Sequence, residues 1–423
     1  MKIKTNPLTY LIIAGMLMGT SCDKNATDID QNNGPDPIKI ELRSNEKAML
    51  ASDQEFAFEF FSKVFAEEAK KEDQNFMVSP FSLSMALAMT WNGTAGETKK
   101  DMQQTLKMKG DTDDDINGYY KKLKEALLKT DPKTKLSIEN AIFTNEQIAI
   151  KPKFIETNTE YYNAKVQSVD FSNSATKDLI NQWASDNTNG LIEKVIDSTD
   201  PRDLMYLLNA IYFKGMWTTQ FETKNTSKKP FTSENGTQTQ VDMMAQTSEF
   251  NYTEDETMQV VQLPYGNQAF SMLVLLPKSG KKQTDVVTAL EKANYWQNTL
   301  SRLRSAKVDL FLPKFKTEYS KKLNQVLIDM GMGIAFDGNE ADFSGMSDAR
   351  ANIAFVKQDT YISTDEEGTE AAAVTTVGME VTSFDPDKPR KVVFNANKPF
   401  LYVIQENSTG AILFMGAVKN FDK

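Results

Sequence analysis

The amino-acid sequence predicts an α+β fold built as one large domain. Helical patterns fill the first half of the chain and strand patterns fill the second half, whereas a βαβ fold would alternate them. The chain closes with a predicted hairpin, in which the apolar runs Phe400–Ile404 and Ile412–Met415 flank a turn at Asn407–Gly410. From about residue 45 onward no stretch has the composition of a linker, so residues 45–423 are predicted to form the domain.

Composition excludes several classes of function. The 423 residues are 40% hydrophobic and 25% charged, as in an ordinary globular protein, and the formal net charge of −10 argues against a nucleic-acid partner. The absence of histidine excludes Ser-His-Asp and Cys-His catalysis and histidine-ligated metal sites. A lone cysteine, Cys22, allows no intramolecular disulfide. An enzyme would have to use Ser-Lys, Thr or carboxylate chemistry, and the sequence has no motif for any of these. We therefore expect no enzyme, no cofactor and no metal.

The N-terminus has the pattern of a secretory signal over residues 1–21. A basic start is followed by the apolar run Leu8–Met18, which is too short to span a bilayer comfortably, and by small residues up to Cys22. This resembles a bacterial lipoprotein signal in which Cys22 is lipidated, although Gly19 stands where leucine is usual. The resemblance implies a cell-envelope lipoprotein, on the outer membrane or the cell surface facing the exterior; the alternative is a cleaved signal and a secreted protein.

Residues 22–44 are rich in Asp, Asn and Pro and are predicted to be a flexible tether. The first helix beyond it carries an apolar face that includes Phe56 and Phe60. A second helix has Ser79 as its N-cap and Pro80 at its first position, and Ser79, Ser82 and Ala86 form a face of small residues. The basic run from Lys121 to Lys129 is interpreted as a solvated helix face, with a polyanion site as the alternative.

Two further helices and five strands follow from periodicity. The helices are predicted at Lys153–Ala164 and Asp178–Asn187. The strands are predicted at Leu204–Phe213, Met258–Leu263, Phe270–Leu276, Val308–Leu312 and Ala354–Ser363.

The stretch from Asp365 to Phe384 has the alternation of a half-buried strand but lacks large side chains. Every second residue from Thr369 to Val381 is uncharged, whereas Glu370 and Glu380 share the opposite face. Gly368 precedes the stretch as a hinge-like residue. Because small inward residues let a strand enter between neighbours already in place, the pattern indicates a loop that can become a strand.

Several motifs in this chain closely resemble those of the serpin family. The string EEGTEAAAV (Glu366–Val374) is similar to the serpin reactive-loop hinge. Three more motifs follow the family order, and a long C-terminal motif completes them. They are NFMVSPFSLSMALAM (Asn75–Met89), LNAIYFKGMW (Leu208–Trp217), LPKF (Leu312–Phe315) and FNANKPFLYVIQENSTGAILFMGAV (Phe394–Val418).

The resemblance implies a fold of three β-sheets with about eight to nine helices and an exposed reactive-centre loop. It further implies a monomeric inhibitor that a serine protease attacks, forming a covalent acyl complex while the cut loop inserts into the main sheet. Cysteine proteases are a second target class, and the membrane is reached only through the N-terminal lipid. The alternatives are a non-inhibitory, ligand-binding or chaperone-like serpin, and a surface-anchored enzyme or adhesin of unrelated fold.

Site residues carry over from the resemblance by position. The hinge comprises Glu366, Gly368, Thr369, Glu370, Ala371, Ala372 and Ala373. The sheet-opening cluster comprises Ser79, Ser82, Asn209 and Gln358, with Gln358 where many serpins have histidine. The alternative for Ser79, Ser82 and Asn209 is helix capping and buried hydrogen bonding only. The top-of-sheet residues are Lys314, Glu366 and Trp217. Counted from Glu366, the usual loop length places the reactive bond at Thr382–Ser383, which suits an elastase- or subtilisin-like protease.

Overall fold

The structure is a computed structural model that describes residues 35–71, 74–369 and 391–421. Its α-helices are α1 Ser44–Glu68, α2 Pro80–Trp91, α3 Gly96–Thr105, α4 Asp113–Leu127, α5 Pro152–Tyr162, α6 Thr176–Asn187, α7 Gln283–Leu290, α8 Tyr295–Ser301, α9 Asn324–Leu327 and α10 Gly333–Phe336. A wide turn at Ile328–Met332 joins the last two. Among the residues described, no helix is both long and apolar enough to cross a bilayer.

The strands form a six-stranded and a nine-stranded sheet. They are β1 Phe76–Val78, β2 Lys135–Asn145, β3 Lys165–Val169, β4 Met205–Met216, β5 Ser227–Thr232, β6 Gln238–Glu254, β7 Met258–Tyr265, β8 Phe270–Pro277, β9 Arg304–Pro313, β10 Phe315–Lys322, β11 Lys357–Thr364, β12 Gly368–Thr369, β13 Lys391–Asn395, β14 Phe400–Glu406 and β15 Ile412–Val418. The six-stranded sheet has the order β10-β11-β12-β4-β2-β3.

The nine-stranded sheet runs β1-β15-β14-β8-β7-β6-β9-β13, with β5 also paired to β6. Strand β6 is long, and its first part pairs with β5 and β9 while its last residues pair with β7. The two smaller sheets of the expected three are therefore continuous through β6. This is the predicted α+β fold, with the closing hairpin formed by β14 and β15.

Helices cover both faces of the six-stranded sheet. Helix α2 packs on the inner face, where the large core lies. Helix α6 packs on the outer face through a second apolar cluster that includes Phe143, Trp183 and Tyr206. The predicted N-cap is present, because the Ser79 Oγ accepts the Ser82 N–H at 3.3 Å and Pro80 opens α2.

Several boundaries differ from the sequence prediction, and at two of them the backbone bonds to another part of the fold. Residues 35–43, assigned to the tether, are bound to the body: the Ile38 N–H donates to the Thr130 carbonyl and the Ile40 N–H to Ser408 Oγ, while the Ile40 side chain is buried. The strand predicted from Ala354 begins only at Lys357. The preceding backbone instead bonds to the α9–α10 region, where the Ile353 N–H donates to the Ala335 carbonyl.

The Asp53 carboxylate lies between α1 and α4, and among the residues that the structure describes no cation pairs with it. The Tyr119 and Tyr120 hydroxyls donate to the two Asp53 carboxylate oxygens, at 2.6 and 3.0 Å. Burial raises the pKa of Asp53 to about 7, and the two tyrosine hydrogen bonds offset only part of that rise. Asp53 therefore changes charge near neutral pH in a protein that has no histidine.

Candidate functional site

A tight turn at the top of the six-stranded sheet sends the chain back from β11 into β12. The Asp365 N–H donates to the Gly368 carbonyl at 2.9 Å, and the Asp365 carboxylate accepts the N–H groups of Glu367 and Gly368. This is the local side-chain-to-backbone bonding for which aspartate is favoured in turns. Thr369 then pairs antiparallel with both Thr364 and Gly215, so the hinge has already begun a central strand.

Glycine is required at position 368 by the closeness of β4. A Cβ on Gly368 would lie 2.1 Å from the Gly215 carbonyl oxygen and 2.7 Å from the Met216 Cα. Both atoms belong to the backbone and cannot move aside as a flexible side chain could. The hinge-like glycine inferred from sequence therefore has a steric function: it lets the turn lie flat against β4.

Thr369 points inward and is held by a residue that sequence reasoning did not select. Its side-chain hydroxyl lies 2.6 Å from the Tyr265 hydroxyl, and both residues are buried. The Tyr265 ring stacks on Trp217 with centroids 4.5 Å apart. Burial raises the pKa of Tyr265 well above its usual range, so the hydroxyl stays protonated. A buried tyrosine at a strand end gives too common a signal to be recognised without the fold.

The backbone of the turn is anchored to the chain that follows β4. Trp217 donates its indole N–H to the Asp365 carbonyl at 2.9 Å and its backbone N–H to the Glu367 carbonyl at 2.8 Å. The Phe221 N–H donates to the Glu366 carbonyl at 2.9 Å. The predicted top-of-sheet tryptophan thus binds the main chain on both sides of Glu366.

The predicted Lys314–Glu366 pair is present, with Nζ and Oε2 2.7 Å apart. The other Glu366 oxygen accepts the Thr226 hydroxyl at 2.8 Å. Burial acts to raise the pKa of Glu366, but the hydrogen bonds from Lys314 and Thr226 outweigh it and the pKa is lowered. The same bond from Glu366 raises the pKa of Lys314. Both groups are charged at neutral pH and fasten the turn to the β9–β10 connection.

Below Thr369 the sheet is parted between β4 and β11, and we call this space the gap. Within the described chain, only the two residues of β12 stand between these strands. A cavity of about 190 Å³ fills the lower gap. It is lined from the inner face by α2 residues such as Ala86 and from the outer face by α6 residues such as Trp183, so the opening passes through the sheet.

The sheet-opening cluster lies on the two sides of this gap. On the β4 side, Ser82 donates its hydroxyl to Asn209 Oδ1, and Asn209 Nδ2 donates to Asn140 Oδ1 at 2.6 Å. On the β11 side, Gln358 forms a pair of 2.9 Å bonds with the Ser79 backbone, accepting its N–H and donating to its carbonyl. Ser79 and Ser82 both lie at the start of α2, so this helix start contacts β4 through Asn209 and β11 through Gln358. The capping and buried-bonding roles of Ser79 and Ser82 are present as well.

Four of the seven hinge residues, Glu370 and Ala371–Ala373, lie outside the described residues. So do Cys22 and the predicted reactive bond at Thr382–Ser383. The fold and the described part of the hinge together define a protein whose main sheet is open to a further strand.

Comparisons with known proteins agree with this class. Residues 51–421 match the family model described as "Serpin (serine protease inhibitor)". The chain is 34% identical over 376 residues to the leukocyte elastase inhibitor of Xenopus laevis, covering 85% of this chain and 96% of that protein. The chain therefore belongs to the serpin family.

Solved structures show the same fold. The native thermophilic serpin tengpin superposes with a TM-score of 0.80 at 30% identity, covering 93% of this chain and 98% of tengpin. Human thyroxine-binding globulin in complex with its ligand superposes with a TM-score of 0.79 at 28% identity, covering 89% and 99%. The relatives thus include one protein named as an elastase inhibitor and one named for binding thyroxine.

Proposed function

We propose that this serpin inhibits serine proteases of the elastase or subtilisin type by suicide trapping. The observation that carries the proposal is the turn at Asp365–Gly368, which places Thr369 between β4 and β11 at the top of the gap. The protease would cut the loop and form an acyl-enzyme, and the freed strand would enter the sheet before the acyl bond is hydrolysed.

Continuing the register of β12 shows how the rest of the loop would fit. Thr369 pairs with Gly215 and Thr364, so each further residue moves one step down both neighbouring strands. Thr375 would then lie between Asn209 and Gln358, with its hydroxyl facing the polar cluster. The uncharged inward face predicted from the sequence would line the cavity, while Glu370 and Glu380 would face outward to water.

The energy of insertion supports a trap. A central strand adds on the order of ten backbone hydrogen bonds, each contributing about 0.5–1.5 kcal/mol net. The total is comparable to the stability of a whole domain. The uncut protein is therefore a kinetically trapped state.

The proposed bond, Thr382–Ser383, follows small and medium uncharged residues apart from Glu380. Such residues suit a shallow apolar specificity pocket. A cut after Lys388 or Arg390 would leave an inserted segment several residues too long, and a trypsin-like protease would escape. We therefore expect elastase-like enzymes to be trapped and trypsin-like enzymes mainly to cleave.

Incubation with an elastase tests the proposal. A band containing both proteins should survive a denaturing gel, and an elastase whose catalytic serine has been blocked should form none. Mass spectrometry of the released C-terminal fragment should show Ser383 at its N-terminus, with bonds after Val381 and Met379 as the next choices. Efficient trapping of trypsin with a fragment that begins at Lys391 would contradict the assignment.

A non-inhibitory, ligand-binding serpin is the second candidate, favoured by the similarity to thyroxine-binding globulin. It predicts cleavage by elastase without a stable complex, together with measurable binding of a small apolar ligand by calorimetry. The uncharged hinge residues Thr369 and Ala371–Ala373 favour the inhibitor, because a carrier tolerates bulky or charged residues there.

We also propose that lipidated Cys22 holds the protein at the cell envelope. The basis is the apolar run that ends in small residues before this cysteine. Cys22→Ala should move the protein from the membrane fraction to the soluble fraction without altering inhibition. The neighbouring Ser21→Ala is the matched control, and equal membrane retention of both variants would contradict the anchor.

A further inference from the structure

Two aromatic rings, one from each side of the gap, meet at its lower end. Tyr206 of β4 and Phe355, two residues before β11, have ring centroids 5.8 Å apart, and we call them the ring pair. Tyr206 belongs to the outer apolar cluster, Phe355 packs against that cluster, and both line the lower cavity. The ring pair thus bridges the gap on its outer face, below the two residues of β12.

The ring of Tyr206 is fixed by its neighbours. It meets Phe171 edge to face with centroids 4.9 Å apart. Its hydroxyl donates to the Asp203 carboxylate and accepts the Asp200 N–H at 3.3 Å. Burial and the hydrogen bond to Asp203 raise the pKa of Tyr206, so the hydroxyl stays protonated. The ring is therefore held both by the chain that follows β3 and by the chain that precedes β4.

The backbone around Phe355 is held from the side away from the gap. Asn324 accepts the Val356 N–H at 2.9 Å and donates to the Ala354 carbonyl at 3.0 Å. The Val356 carbonyl accepts the Leu323 N–H at 2.7 Å. Because successive residues of an extended chain point their peptide groups to opposite sides, the N–H and carbonyl of Phe355 face the gap. Phe355 can therefore hydrogen-bond a strand that enters there.

The register of β12 assigns one residue of the loop to the ring pair. Thr369 pairs with Gly215 and with Thr364. Continued nine residues down both strands, the same register would place Gly378 directly between the two residues of the ring pair. Directly opposite residues of antiparallel strands share a face, so position 378 would face outward beneath the rings.

Glycine suits this position for a steric reason. An inserted strand would hold β4 and β11 two strand spacings apart, about 10 Å. Aromatic side chains at that separation can still meet over a glycine, whereas any larger residue would place its Cβ between the rings. Glycine by itself weakens a strand, and Gly378 stands in a stretch rich in β-branched residues. Contact with the ring pair would offset that weakness.

We propose that Tyr206 and Phe355 are positioning residues that form a docking site for Gly378 of the cut loop and thereby fix the register of the strand in the lower gap. The proposal rests on the proposed function and specifies where insertion stops. A strand shifted by two residues would bring Thr376 or Glu380 beneath the rings and force them apart. The register in turn fixes how far the cut end of the loop is carried down the sheet.

The first test measures uptake of a synthetic peptide with the sequence of residues 369–382, followed by native gel and by the rise in unfolding midpoint. Gly378→Val in the peptide should raise the concentration for half-maximal uptake about three- to tenfold through loss of the ring contact, although valine favours strands by propensity. Thr376→Val is the matched control, because it adds valine on the same face beside Leu208 and Lys357, and it should not weaken uptake. Equal uptake of the Gly378→Val peptide and the unaltered peptide would overturn the proposal.

Variants of the protein separate recognition from general packing. Phe355→Ala removes one ring, so the preference for the unaltered peptide over the Gly378→Val peptide should fall below about twofold. Tyr206→Phe keeps both rings and removes only the hydroxyl, so it should retain the preference. A purely structural role of Phe355 would weaken uptake of both peptides equally, and an unchanged preference in Phe355→Ala would contradict the docking site.

Disulfide formation reads the register directly. In Cys22→Ala protein that carries Leu208→Cys, a peptide with Thr376→Cys should cross-link, because the two residues would lie opposite each other. A peptide with Val374→Cys instead reports a strand shifted by two residues. The first cross-link should dominate with the ring pair intact, and the second should increase with Phe355→Ala. The same ratio of cross-links in both proteins would show that the ring pair does not set the register.

Trapping of elastase is measured with the same substitutions in the full chain. If the unaltered protein traps elastase, Gly378→Val should shift the product from complex toward cleaved protein, and Thr376→Val should not. If the unaltered protein traps none, the proposed function fails, and the peptide measurements still decide whether the ring pair binds Gly378.

Discussion

Replacing Thr369 with arginine perturbs the first inserted residue of the hinge. In the structure this side chain is 3% exposed and its hydroxyl pairs with that of Tyr265, which is 0% exposed. Arginine would remove the hydroxyl partner of Tyr265, at a cost of about 1–3 kcal/mol. It would also place a charge in a buried site without a counter-ion, at a cost of about 3–5 kcal/mol.

The two costs together are at least about 4 kcal/mol, which corresponds to roughly a thousandfold in rate if the transition state bears them in full. We expect this because Thr369 is at the head of the inserting strand, so no part of the loop can enter before it. Insertion would then lose its competition with hydrolysis of the acyl-enzyme, and the variant would become a substrate.

The assay is a time course of complex and cleaved product with elastase on denaturing gels. Two controls separate the contributions. Thr369→Val keeps the size of the side chain and removes only the hydroxyl, so it should slow trapping far less than Thr369→Arg. Thr219→Arg adds the same charge at an exposed position near the top of the sheet. Equal stoichiometry of trapping by Thr369→Arg and the unaltered protein would refute insertion through this gap.

Three further predictions concern the turn and the protein's stability. Gly368→Ala should prevent the turn from packing against β4, because the added Cβ would overlap the strand backbone. Protease cleavage at the hinge should therefore become faster. The control Gly118→Ala has open space around its Cβ and should behave as the unaltered protein. Because the pKa of Asp53 in the folded state, about 7, lies above the unfolded value of about 3.9, the protein should lose stability as the pH rises through this range. Asp53→Asn should therefore raise the free energy of unfolding in denaturant by up to about 4 kcal/mol near pH 8, and the gain should shrink toward pH 4. A gain that did not vary with pH would contradict the assignment. Glu366→Gln should weaken the bond to Lys314 by about 0.5–1 kcal/mol and speed amide exchange at Gly368, and an unchanged exchange rate would show that the pair does not anchor the turn.

Two features of the fold could be predicted from the sequence because their signals are local. The capped start of α2 at Ser79 and Pro80 follows from the preferences of neighbouring residues. The inward side of Thr369 follows from alternation along a strand. The order of helices and strands likewise placed the chain in the α+β class.

The partners of the site come from distant parts of the chain, and only the tertiary structure decided them. Tyr265 lies 104 residues from Thr369, and Lys357 lies 162 residues from Val195, whose carbonyl accepts its ammonium. Gln358 fits the opening cluster by motif, yet only the tertiary structure shows that its side chain pairs with the backbone of Ser79 at the start of α2. Alternation and capping are set by adjacent residues, so the sequence by itself determined the fold class, the capped start of α2 and the inward side of Thr369. Contacts between remote residues depend on how whole strands and helices pack, so only the tertiary structure decided what holds Thr369 and Glu366 in place.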